Sequence, residues 1–203
     1  MKRLAVKNIN TPEEYARIWE KRSNSEINWF DVLRWQTLIK YFNGGRFIDL
    51  GCLDSLAPLF AKEKYPKSEV WGLDFVEDVI KKLSIIYPEI NYIKGDVYET
   101  HFPSMYFDYV VAGELLEHLE KPEEFISEAF RILKVGGILA LSTPQGESEL
   151  GEVDKDRHLW SFTRKDIHKL LEPYGSVRTK IIKSSYFPYR YAFPNIISWT
   201  IKN

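Results

Sequence analysis

Cysteine is almost absent: Cys52 is the single one in 203 residues. No intrachain disulfide can form, and no cysteine cluster can hold zinc. A reducing, cytoplasmic setting is the expectation. Net charge is equally scarce, with 28 Lys and Arg against 29 Asp and Glu. That balance gives no electrostatic ground for a large nucleic-acid partner. No run approaches the roughly 20 apolar residues needed to cross a bilayer, and the opening Met1–Lys7 lacks the apolar stretch of a secretory leader. A soluble protein without a membrane partner is expected. What is present is a hydrophobic fraction of 44% beside 28% charged residues, enough for one α/β core.

Thr11-Pro12-Glu13-Glu14 reads as a helix start: a hydroxyl cap, proline at the first helical position, then acids at the positive helix end. A second helix is expected from about Trp29, with Phe30, Leu33, Thr37, Leu38 and Tyr41 near one face, ending at Asn43-Gly44-Gly45. From Arg46 short apolar runs alternate with helical stretches. The runs are Phe47–Leu50, Glu69–Asp74, Asn91–Asp96, Phe107–Ala112 and Gly137–Ser142. Between the last two, Lys121-Pro122 opens a helix that Gly136-Gly137 should close. This order implies a parallel sheet covered on both faces. Thr163-Arg164-Lys165-Asp166 resembles a capping box, opening a helix through Leu171. Val177–Tyr186 and Asn195–Ile201 should be sixth and seventh strands, antiparallel because no crossover helix separates them.

Chemistry concentrates at strand ends. Asp49-Leu50-Gly51-Cys52-Leu53-Asp54-Ser55 lies where the first strand turns into a helix, and open parallel sheets bind ligands outside such carboxyl ends. Gly51 lets the backbone approach a ligand closely. Asp74 ends the second strand, where a carboxylate can accept both ribose hydroxyls. Asp96-Val97 ends the third, where a carboxylate and a backbone N–H can meet an adenine edge. Any one of these acids could be a solvated strand end. Three in register with a glycine turn favour a nucleoside site.

Residues 46 to about 171 resemble the class I S-adenosylmethionine-dependent methyltransferases of the small-molecule type, the methyltransferase type 11 or ubiquinone-biosynthesis O-methyltransferase-like group. The likeness rests on Phe47–Cys52, Gly72–Asp74, Gly95-Asp96, Phe107–Leu119, Leu133–Leu139 and His158–Thr163. It implies a Rossmann-like, seven-stranded α/β sheet, mostly parallel with an antiparallel last strand and helices on both faces. One domain is expected over 1–203, with an N-terminal helical cap at 1–45 and the core at 46–203. By the resemblance, Asp49, Gly51, Cys52 and Leu53 form the methionine-side loop, Asp74 and Phe75 the ribose contact, and Asp96 and Val97 the adenine contact. Gly113, ending the fourth strand, completes the S-adenosyl-L-methionine cradle. The family usually continues Gly-Cys-Gly-x-Gly. Here Leu53 replaces the second glycine, which requires a different backbone path or a displaced cofactor.

The place of Cys52 in this loop argues for a packed side chain rather than a nucleophile. Glu117-His118 follows the fourth strand, and His158 precedes Trp160-Ser161-Phe162. By the resemblance these line the transfer centre and the acceptor mouth, so His118 and His158 are the catalytic candidates; for His118 a plain surface histidine is an equal reading. His101 and His168 read as surface histidines. The four histidines show no metal-ligand spacing, and no metal is expected. No Asn/Asp-Pro-Pro-Tyr segment, paired-glutamate loop or Pro-Cys nucleophile marks the amino-methylating, arginine-directed or cytosine-C5 enzymes. The expected function is methyl transfer to a small-molecule acceptor at oxygen. A degenerate binding or scaffold protein, which Leu53 supports, is the alternative; a nicotinamide oxidoreductase is weakened by the missing Gly-x-Gly-x-x-Gly. Pro144–Trp160, long and acidic, should form a lid carrying His158. Tyr186–Phe193 should shape the acceptor pocket or a homodimer contact.

Overall fold

The structure, a computed structural model, describes residues 1–5, 8–22, 29–53, 55–146, 157–183 and 194–203. Most of the expected lid and all of Tyr186–Phe193 lie outside the described residues.

Runs of β-branched and aromatic residues bounded by glycine or acids become the strands. β2 (Arg46–Leu50), β3 (Glu69–Asp74), β4 (Asn91–Lys94), β5 (Phe107–Gly113) and β6 (Leu133–Pro144) are mutually parallel. β8 (Gly175–Ile182) and β9 (Asn195–Lys202) complete a seven-stranded sheet ordered β4-β3-β2-β5-β6-β9-β8. β9 enters between β6 and β8 and runs antiparallel to both. That is the geometry the missing crossover helix demanded. Strand order reverses between β2 and β5, so a crevice opens at their carboxyl ends.

Helices cover both faces because β2 and β5 are apolar on both. On one face α5 (Pro122–Ile132) and α6 (Arg164–Leu171) bring Phe125, Ile126, Phe130, Ile167 and Leu171 against Ile48, Leu50, Val110 and Leu139. On the other, α2 (Trp29–Leu38) and α3 (Ala57–Lys64) pack Phe30, Trp35, Leu38, Ala57 and Ala61 against Phe47, Tyr109 and Val111. α4 (Glu77–Ile86) supplies Ile80 to that second core, while its Val79 packs under α1 (Pro12–Arg22). Among the described residues, no helix is long and apolar enough to cross a membrane.

Several boundaries differ from expectation for local reasons. α2 buries Phe30, Trp35, Thr37 and Leu38, whereas Leu33 and Tyr41 face outward. Trp35 has rotated the buried arc because its ring needs the space beside Gly113. α5 stops at Ile132, not at Gly136-Gly137, and the chain passes directly into β6. There Lys134 Nζ holds Asp108 Oδ1 at 2.6 Å, and the pairing with β5 shifts register between Phe107 and Tyr109. β8 begins at Gly175, two residues before the expected Val177. A short antiparallel pair, β1 (Lys2–Arg3) with β7 (Trp160–Ser161), was not anticipated; strands this short carry no periodicity. The capping box is present: Asp166 N donates to Thr163 Oγ1 at 3.3 Å and Thr163 N to Asp166 Oδ2 at 2.9 Å.

Glu128 on α5 ties down the segment after β4. Its Oε1 accepts from Thr100 N (2.8 Å) and Thr100 Oγ1 (2.6 Å), and Arg131 Nε reaches its Oε2 at 2.6 Å. Burial alone would raise its pKa, but the bonds from Arg131 and Thr100 outweigh burial and hold it at about 2. A lowered folded-state pKa contributes stability that is fully present above the ordinary value of 4.5 and is lost as pH falls toward 2. Glu128→Gln should therefore cost about 1–3 kcal/mol near neutrality. In thermal melts the gap between wild type and variant should close between pH 4.5 and about 2; a pH-independent gap would show that packing, not charge, is responsible.

Candidate active site

The loop after β2 takes its shape from two acceptors at the end of β3. Gly51 N and Cys52 N both donate to Leu73 O, at 2.8 and 3.1 Å. Leu53 N then donates to Asp74 Oδ2 at 3.0 Å, and Val76 N to Asp74 Oδ1 at 3.0 Å. Gly51 sits at φ +73°, and a Cβ there would lie 2.8 Å from Leu115 Cδ1, so only glycine fits. Leu53 does not obstruct this turn. Its side chain joins Val76 and Val79 beneath Tyr15, Ala16 and Trp19 of α1.

Asp49 is fully buried on β2, between Gly72 and Val111 of the neighbouring strands. Cys52 is a buried thiol packed beside Gly72, which supports its structural reading. Phe75 is exposed, its ring edge-on to Tyr15 at 5.7 Å. Asp96 is exposed too, and its Oδ1 accepts from Tyr98 N at 2.8 Å; Val97 is half-buried against the first core. Each Asp74 oxygen accepts a backbone N–H, and the carboxylate lies at the end of β3 beside the turn. With the glycine turn beside it, this set fits a ribose-bearing cofactor. Gly113 behaves differently: a Cβ there would come 2.2 Å from Trp35 Cζ3, so its bareness serves packing.

Beyond β5 the chain turns sharply. Glu114 adopts φ +53°, rare for a side-chain-bearing residue. Its N donates to Ser142 O at 3.0 Å, Ser142 Oγ donates to its Oε1 at 2.8 Å, and Arg34 NH1 lies 3.6 Å from its Oε2. A single 3-10 turn, Leu116–His118, follows. It buries Glu117 to 1% exposure. Burial pushes the Glu117 pKa above the ordinary carboxylate range, the Glu114 charge adds to that shift, and His158 opposes it.

The turn also brings Glu117, His118 and His158 together, their ligand-type atoms all within 4.8 Å of one another. The two imidazole centroids are 4.6 Å apart at 76°. Leu159 N donates to Glu117 O at 2.7 Å, and His118 Nδ1 lies 3.1 Å from Arg157 O. A carbonyl can only accept, so Nδ1 carries the proton and Nε2 keeps the lone pair. One carboxylate and two imidazoles can accept a proton, and the same donor set could hold a divalent cation. Spacing along the chain hid this set, because His118 and His158 belong to separate segments.

Comparison with known proteins agrees with this geometry. Residues 48–141 match the methyltransferase-domain family. A probable S-adenosylmethionine-dependent methyltransferase of Mycolicibacterium smegmatis is 36% identical over 75 residues, covering 37% of this chain and 29% of the relative. Over residues 48–141 the chain is thus similar to methyltransferase domains. A demethylmenaquinone methyltransferase of Listeria welshimeri is 29% identical over 145 residues, 63% of this chain and 61% of the relative. The chain thus spans under two thirds of the length of these relatives. A solved structure from Pyrococcus horikoshii OT3 superposes with a TM-score of 0.73 at 18% identity, over 94% of this chain and 99% of that one.

Sequence reasoning missed Asn10, Tyr15, Arg34 and Glu114 as neighbours of the histidines or of their supports. His101 is exposed at φ +61°, and His168 contacts Thr179 Oγ1 at 3.2 Å, both away from the cluster. The packing role of Gly113 has a direct consequence. Gly113→Ala should destabilise the fold by about 1–3 kcal/mol through overpacking against Trp35. Gly113→Ala combined with Trp35→Phe should recover part of the loss in denaturant titrations; no recovery would disprove the packing explanation.

Proposed function

We propose that the protein transfers a methyl group from S-adenosyl-L-methionine to a small-molecule acceptor at oxygen. The observation that carries this reading is the cluster of buried Glu117 with half-buried His118 and His158 at the carboxyl end of β5. The name of the Listeria relative supports a small acceptor.

Asp74 takes the ribose hydroxyls, Asp96 and the Val97 N–H take the adenine edge, and the Asp49–Leu53 turn, with Phe75 and Gly113, encloses the rest. The bound cofactor supplies a methyl already activated on a sulfonium, so the protein mainly aligns the partners for in-line displacement. An acceptor hydroxyl must also lose its proton. His118 Nε2 and His158 are the bases within reach, and a well-placed base contributes about 10²–10⁴-fold. The reading as a binding or scaffold protein draws on Leu53 and on the engagement of both Asp74 oxygens by backbone N–H groups.

Titration calorimetry with S-adenosylhomocysteine separates the two: micromolar binding is expected, and no heat at high ligand would favour the scaffold. Asp74→Ala should weaken that binding roughly tenfold or more, since ribose hydroxyls would lose their acceptor. An unchanged affinity would remove the ribose assignment. Once an acceptor is identified, His158→Ala should lower kcat by roughly tenfold or more while cofactor affinity barely moves. Full turnover in that variant would return His158 to a structural role.

A further inference from the structure

The segment before α1 reaches both histidines through one side chain. Asn10 Nδ2 donates to His118 O at 3.1 Å and to Arg157 O at 2.9 Å. The two hydrogens of a single amide thus hold the backbone of one histidine and of the residue preceding the other. Amide orientation follows from chemistry, because both carbonyls can only accept and the nitrogen must face them. Tyr15 OH closes the set by donating to Asn10 Oδ1 at 3.1 Å. The same Arg157 O receives the Nδ1 proton of His118.

We infer that Asn10 is a positioning residue: it joins the His118 backbone to that of Arg157, alongside the Leu159–Glu117 bond, and, through Arg157 O, holds His118 as its Nδ1–H tautomer. This rests on the proposed methyltransferase reading for its purpose, but not for its geometry. Without the amide, the bond from Leu159 N to Glu117 O at 2.7 Å still links the two segments, but the bridge between His118 O and Arg157 O is lost. The neighbouring links work at other points. Glu14 Oε1 meets Arg157 Nε at 3.7 Å, and Leu4 N donates to Leu159 O at 2.8 Å. They dock the segment without contacting the two carbonyls. Asn10 also lies upstream of every motif that suggested the domain, so nothing in those motifs marks it. Tyr15 joins it to the cofactor side, since its ring is edge-on to Phe75 at 5.7 Å and to His118 at 5.8 Å.

The experiment is a long-range proton–nitrogen NMR spectrum of the four imidazoles in the full chain at a pH where they are neutral, with S-adenosylhomocysteine affinity measured in parallel. Wild type should show His118 as the Nδ1–H tautomer. Asn10→Asp, which keeps the shape but replaces the donors, should lower the Nδ1–H to Nε2–H ratio of His118 about two- to tenfold, the effect of about one hydrogen bond. His101 and His168 should not move, and affinity should change by less than about twofold, because Asn10 touches no cofactor residue. If Asn10→Asp does not fold, Tyr15→Phe removes the hydroxyl that orients the amide and should shift His118 in the same direction. Unchanged His118 and His158 signals in a folded variant would overturn the inference, as would equal shifts at all four histidines. Failure of wild type to bind S-adenosylhomocysteine would instead sink the methyltransferase reading and leave the tautomer result standing.

Discussion

The Asp74 carboxylate is the constraint on which the cofactor side depends. It is 3% exposed, and its two oxygens receive backbone N–H groups from loops on either side of it, Leu53 after β2 and Val76 after β3. Hydrogen bonds to an ionised acceptor are about twice as strong as neutral ones. The bond to Leu53 sets where the turn after Gly51 can run, and so sends the Leu53 side chain toward α4 and α1. An acid expected to bind a ligand is thus first a brace for the two loops around it.

That bracing explains why Leu53 is tolerated where relatives of the expected family carry glycine. A glycine is required when the side chain would otherwise fill the space taken by the ligand. Here the side chain has a destination of its own, between Val76, Val79 and the ring of Trp19. Gly51 has no such outlet, because a side chain there would strike Leu115. The two positions of the motif are therefore under different constraints, one steric and one set by available packing.

Much of the fold was legible because its signals are local. The apolar run Phe47–Leu50 ends in a glycine turn, Thr163 and Asp166 are three apart, and the absence of a crossover before Asn195 dictates an antiparallel strand. Asp74 ends β3 as expected, whereas β4 stops at Lys94 and leaves Asp96 in the loop beyond it. What was not legible depends on distant partners. Trp35 is buried because Gly113 leaves room for its ring, a pairing that helical periodicity around Leu33 could not reveal. The pairing of Lys2 and Arg3 with Trp160 and Ser161 joins segments more than 150 residues apart. His118 and His158 meet for the same reason. Both were candidates by the resemblance, but nothing in their spacing joined them; the bond from Leu159 N to Glu117 O lays one segment along the other.

Glu117 is the residue of this region that packing accounts for least. Among the described residues neither of its carboxylate oxygens has a hydrogen-bond partner, although the residue is almost fully buried. A buried polar group without a partner costs about 1–3 kcal/mol, more when charged, and an apolar side chain would avoid that cost. The fold instead places a second acid, Glu114, nearby in a left-handed backbone conformation that itself carries strain. Arg34 partly balances Glu114, lying 3.6 Å from its Oε2 with its guanidinium over the Trp35 ring at 4.8 Å. A strongly perturbed acid such as Glu117, in a cluster with specific partners, is a candidate functional group. Glu114 is also tied to β6 and β9, through Ser142 Oγ at 2.8 Å and Asn195 Nδ2 at 3.4 Å, so part of its cost is offset by structure. For Glu117 the proposed proton removal beside His118 and His158 supplies the reason that packing does not.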